Sequence, residues 1–185
     1  MTVALSSGLL LLRVIGGLTI AAHGAQKLFG WFEGPGFAKF AQGMRGSGLK
    51  PGWLWTALVI LGELGGGLAV ALGFLTPLGA AGMVGAMFMA IARAHWKNGF
   101  FNGKRGIEFP LQVLTIAVAI GVIGPGDYSL DHALGITWPV AVFLALAAVA
   151  LVVDLIGLAM ARQHARQSVT PPASVQPTTQ PTTHA

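Results

Sequence analysis

A chain of 185 residues in which 54% are hydrophobic and only 9% charged cannot cover its apolar surface in water, where such a domain carries about 25% charged residues. Its solvent is lipid, and spans of about 20 residues crossing a ~30 Å hydrocarbon core use up most of the length, which excludes a separate soluble catalytic domain. The chain has no cysteine, excluding a thiol relay, an iron–sulfur centre and covalent haem attachment.

The apolar runs predict an all-α, polytopic membrane bundle with spans at about residues 5–28, 53–74, 78–96, 107–123 and 137–161. Residues 1–161 then form the transmembrane helical bundle, and residues 162–185, ending in a Pro-, Thr- and Gln-rich stretch, are expected to be a disordered tail. The first run lacks a positive leader and is interrupted by Arg13, so it is read as a span and not as a cleaved signal.

The net charge of +5 is explained by where the cations fall, and nucleic acid is not an expected partner. Lys27, Lys39, Arg45 and Lys50 lie around the first connection, Arg93, Lys97, Lys104 and Arg105 around the third, and Arg162 and Arg166 after the last span. Five spans put these three regions on one side; the other side has Asp127 and Asp131. The positive-inside rule makes the cationic side cytoplasmic, with the N-terminus outside and the C-terminus inside a plasma membrane.

Arg13 and Glu63 are charges inside spans, each costing roughly 2.5–3.5 kcal/mol near the bilayer centre unless paired. Counted from the outer ends of the first two spans they lie about 12 Å and 17 Å deep at ~1.5 Å per residue, so a buried Arg13–Glu63 ion pair is expected. At ~100° per residue, Arg13, Ile20, His23 and Lys27 share one face of the first helix with Gly16 and Gly24. Glu108, Gln112 and Thr115 form a comparable stripe on the fourth span. Asp154 sits in the fifth. His23, Lys27, Arg93, His95 and Glu108 share a depth near the cationic side and are the candidate ligand-binding residues of a pocket opening there; the competing expectation is that Lys27, Arg93 and Glu108 only snorkel to the interface. His23 and His95 could also ligate a haem, although no haem motif accompanies them, and no metal-ligand cluster is read. Gly62 and Gly66, and Gly82, Ala86 and Ala90, are small residues at spacing four that suit close helix packing.

Four segments resemble signatures of the DoxX family, in order. They are His23-Gly24-Ala25-Gln26-Lys27-Leu28-Phe29-Gly30, Gly62-Glu63-Leu64-Gly65-Gly66-Gly67, Gly106-Ile107-Glu108-Phe109-Pro110-Leu111 and Gly124-Pro125-Gly126-Asp127-Tyr128-Ser129-Leu130-Asp131. The resemblance extends over about residues 9–131. It implies a four-helix core, to which this chain adds a fifth C-terminal span, and a link to quinone-dependent oxidation and oxidative-stress systems; archaeal relatives act as subunits of thiosulfate:quinone oxidoreductases. The resulting expectation is a membrane subunit or anchor with a quinone as ligand, no intrinsic cofactor, and a soluble or membrane redox partner on the cytoplasmic side. A small-molecule binder or transporter and a non-catalytic scaffold are the alternatives, and a homo-oligomer is left open.

Overall fold

The computed structural model describes residues 1–169. The chain is all helical among them, and the rest of the expected tail lies outside the described residues. Helix α1 spans Val3–Phe29. A short helix α2, Gly36–Gly46, occupies the first connection. Helix α3, Gly52–Ile60, runs through a π-helical turn at Leu61–Gly65 into α4, Gly66–Leu72. Helix α5, Thr76–Ala90, ends in a second π-helical turn, Ile91–His95. Then come α6, Glu108–Ile123, a single turn α7, Leu130–Ala133, and α8, Val140–Val169.

Among the described residues, four helical stretches, Val3–Phe29, Gly52–Leu72, Thr76–Asn98 and Val140–Gln167, are long and apolar enough to cross a membrane. The chain is a multi-pass membrane helical bundle. The helix in the expected fourth span, α6, has 16 residues, about 24 Å at ~1.5 Å per residue and so shorter than a ~30 Å core. It packs within the bundle: Val113, Ala117 and Ile120 enter the main core beside Ile20, Val70, Met83 and Phe143.

Helix α8 continues through Val169, so residues 162–169, expected as disordered tail, are helical. Arg162, Gln163, Ala165 and Arg166 are good helix formers, and the α8 backbone at Ala161 and the His164 side chain close against Gly48. The α6 stripe is a second correction. Gln112 and Thr115 are exposed, and the Thr115 hydroxyl donates to the Leu111 carbonyl at 2.9 Å. The buried face is instead Pro110, Val113, Ala117, Ile120 and Gly121, since the bulk of Phe143 and the core demands apolar surface there.

Small residues set the register of the bundle. A Cβ added at Gly17 would stand 2.5 Å from the Gly67 carbonyl, one at Gly24 2.5 Å from the Leu64 amide nitrogen, and one at Gly62 2.5 Å from the Gly82 carbonyl. Backbones therefore touch along the α1–α4 and α4–α5 seams, the packing that lipid-embedded helices use in place of a hydrophobic drive. The register leaves the start of α1 overhanging the α4–α5 turn. That overhang is covered by residues 124–139: the Ser6 hydroxyl donates to Asp127 at 2.6 Å, and Leu9 meets Gly126.

Candidate functional site

At the other end, the His23–Gly30 segment of α1 faces the π-helical turn that carries Glu63. The close approach of Gly24 to Leu64 brings the last two turns of α1 against that turn. A π-helical turn adds a residue to the helical repeat, and such bulges often occur at functional sites. Lys27 Nζ lies 2.5 Å from Glu63 Oε2, with the Glu63 side chain almost fully buried. Lys27 also donates to the His23 carbonyl at 3.4 Å and stands 5.6 Å from the centre of the Phe40 ring.

This pair forms part of the wall of a cavity of about 490 Å³. His23 and Lys27 enter it from α1, Glu63 from the π turn, Arg93 and His95 from the turn ending α5, and Phe40 and Met44 from α2. Met87, Met89, Leu49 and Phe109 supply apolar wall. The rings of His23 and Phe109 are 4.9 Å apart. Arg93 Nη2 donates to the Ser47 carbonyl at 2.8 Å, tying the end of α5 to the α2–α3 connection. His95 Nδ1 is 2.7 Å from the Arg105 carbonyl. A carbonyl only accepts, so Nδ1 carries the proton, and Nε2 is the acceptor of the neutral ring.

Four of the five candidate residues, His23, Lys27, Arg93 and His95, thus line one cavity. Glu108 does not. Its carboxylate accepts from the Asn102 amide at 2.8 Å and holds the turn Asn102–Lys104 against the start of α6, and Asn102 itself lines the cavity.

The expected Arg13–Glu63 ion pair does not form. Depth counted from the ends of the spans assumed level ends, whereas the Gly17–Gly67 register places Arg13 beside Gly73, about ten residues or ~15 Å from Glu63 along the helix. Arg13 is fully buried and donates to the Tyr128 carbonyl. Its guanidinium fills the space that a side chain at Gly73 would need. Around it the 124–131 motif builds a polar cap. The Ser129 hydroxyl accepts from the His132 amide at 3.2 Å. The Asp131 carboxylate accepts from the Leu75 amide at 2.9 Å and from the Thr76 amide and hydroxyl at 3.0 and 2.7 Å. Asp127, outside the bundle, is held below the usual carboxylate range by the Ser6 hydroxyl and then by the N-terminal ammonium at 3.2 Å.

Two parts of the site were not read from the sequence: Glu63 as a cavity residue, and the α2 wall. The second carried a signal, since Phe37, Phe40, Ala41 and Met44 recur at helical spacing and are half-buried in α2. Chemically, the arrangement is an apolar chamber with an ion pair and several hydrogen-bond donors, as suits a molecule with a greasy body and a polar head.

The DoxX family model matches residues 8–96, which contain most of α1, all of α2 to α5 and most of the cavity wall. The motifs in α6 and the 124–131 cap lie beyond that match. The chain is 36% identical over 112 residues to the inner membrane protein YqjF of Escherichia coli (strain K12), an alignment covering 59% of this chain and 82% of that one. No solved structure matches. The family match, the similarity to an inner membrane protein over most of its length and the helical bundle together make this chain a member of the DoxX family of membrane proteins.

Proposed function

We propose that the chain is the membrane subunit or anchor of a quinone-linked redox or oxidative-stress system, and that the cavity takes a quinone head from the lipid. The observation that carries this is the composition of the cavity wall: apolar side chains from α2, α5 and α6 surround His23, Lys27, Arg93 and His95. A quinone carbonyl needs hydrogen-bond donors in an otherwise apolar chamber. Lys27 and Arg93 supply positive charge near a developing oxyanion, and the imidazoles of His23 and His95 add hydrogen-bonding nitrogens. The exposed Lys39, Arg45, Lys97 and Lys104 ring the same end, where an acidic soluble redox partner could dock.

The test is quinone in the lipid extract of the purified protein, together with binding of a short-chain ubiquinone analogue to wild type, His23→Ala and Lys27→Ala. A tenfold or greater loss of affinity in both variants is expected. Binding as tight as wild type in both would replace this reading with that of a scaffold. One observation favours a second reading, a small-molecule binder or transporter: the Lys27–Glu63 pair opens onto a cavity, where a purely structural pair would be sealed between helices.

A further inference from the structure

We propose that the cavity binds an amphiphile whose head is a single oxygen anion, and that each anion enters together with one proton, which Glu63 takes up. This rests on the reading of the cavity as a ligand site and narrows the ligand to one with an ionised head, such as a carboxylate or the acidic hydroxyl of a hydroxyquinone. Among the described residues, Lys27 is the one hydrogen-bond partner of Glu63, whose side chain is 4% exposed. Lys27 is more accessible and, on its long flexible chain, can turn into the cavity without moving α1. An anionic oxygen there competes with Glu63 for the ammonium group. A carboxylate left buried without its counter-charge is strongly disfavoured, so Glu63 accepts a proton as Lys27 turns away.

The exchange is balanced. Before binding, the pair is Lys27 ammonium with Glu63 carboxylate; afterwards it is Lys27 ammonium with the ligand anion, beside a neutral Glu63. The charge of the buried site is unchanged, no covalent bond to carbon forms or breaks, and the proton comes from water through the open cavity. A neutral head cannot displace a carboxylate from an ammonium group, so it binds without moving a proton. The other titratable and charged groups facing the pair are His23 on α1 and Arg93 and His95 on the turn ending α5; α2 and α6 contribute Phe40, Met44 and Phe109.

The probes are decanoate and 2-hydroxy-1,4-naphthoquinone as anions, with decanol and 1,4-naphthoquinone as neutral counterparts. They are titrated into the protein in lipid nanodiscs, with empty nanodiscs subtracted, by calorimetry in buffers of different ionisation enthalpy. Either anion, or both, is expected to bind with about one proton taken up, and the one that binds identifies the head. Its affinity should fall about tenfold per pH unit as pH rises above neutrality, and the neutral counterparts should move no proton. In Glu63→Gln both the proton uptake and the pH slope should vanish while the anion still binds; in His23→Gln both should persist. Anion binding without proton uptake in wild type overturns the coupling and leaves the cavity reading intact. No binding of any of the four probes overturns both. Should Glu63→Gln fail to fold, the wild-type slope decides: a flat affinity from pH 6 to pH 8 overturns the proposal.

Discussion

Asp131 is bonded to Thr76 twice, through the backbone amide at 3.0 Å and the side-chain hydroxyl at 2.7 Å, with both residues fully buried. One carboxylate from the segment before α8 thereby caps the start of α5. The same segment receives Arg13 on the Tyr128 carbonyl, so the 124–131 motif ties α1, the α4–α5 turn and α5 into one end of the bundle.

Removing that carboxylate leaves two amides and a hydroxyl without partners in a buried place. Asp131→Ala should therefore destabilise the protein by about 2–4 kcal/mol, while Asp131→Asn, which keeps one acceptor oxygen, should cost about half as much. Reversible unfolding in detergent measures both. A loss under about 0.5 kcal/mol for the alanine would show that the cap does not support the bundle. Binding at the distant cavity should be unaffected in either variant.

The two cations of α1 belong to separate sites, and thermodynamic coupling can report this. Lys27→Met leaves Glu63 uncompensated and should cost about 3–5 kcal/mol, much of it recovered when Glu63→Gln is added. Arg13→Leu combined with Glu63→Gln should instead be additive within about 0.5 kcal/mol. Coupling above about 1 kcal/mol between Arg13 and Glu63, measured in the same unfolding assay, would restore the direct pair and contradict the register.

That contrast marks what the sequence could tell. The inward face of α1 was legible, because Arg13, Ile20, His23 and Lys27 can share a face only if it turns toward protein. The membrane class was legible from the scarcity of charge. The partner of Arg13 was not. Partner choice depends on how far α1 overhangs its neighbour, and that offset arises where Gly17 meets Gly67 and Gly24 meets Leu64, contacts between segments far apart in sequence. The π-helical turn at Leu61–Gly65 was equally hidden. One extra residue in a turn leaves no mark in an apolar stretch, yet it contributes to the position from which Glu63 reaches Lys27. The α2 wall was legible and overlooked, since a charged connection between spans invites reading as loop.

The seam should be intolerant of even one methyl group. Gly24→Ala places a Cβ 2.5 Å from the Leu64 amide nitrogen, against backbone that cannot give way. A cost of about 1–3 kcal/mol is expected, together with weakened ligand binding, because Lys27 and Glu63 are positioned by this contact. Gly43→Ala is the matched control: nothing lies within 4 Å of its added Cβ and α2 is helical there, so a gain of about 0.5–1 kcal/mol is expected. Equal behaviour of the two variants in thermal unfolding would remove the seam as the determinant of register.

The last prediction is orientation. The basic regions converge on one end of the bundle: Arg93 bonds the Ser47 carbonyl, His95 bonds the Arg105 carbonyl, and Gly48 packs on Ala161 and His164 of α8. Lys39, Arg45, Lys50, Lys97, Lys104 and Arg162 are exposed around that end. The opposite end gathers Ser6, Asp127, Tyr128 and Asp131; among the described residues its one Lys or Arg is Arg13, which is buried. Lys and Arg near span ends are retained on the cytoplasmic side, whereas acidic residues contribute little to orientation. The N-terminus and residues 124–136 should therefore face outward, with the cavity, α2 and the end of α8 in the cytoplasm. Reporter fusions at Asp131 and after Val169 test this directly. A reporter active only in the cytoplasm should work after Val169 and fail at Asp131. Activity at Asp131 would reverse the bundle, and the proposed cavity would then draw its ligand and its proton from the outer face.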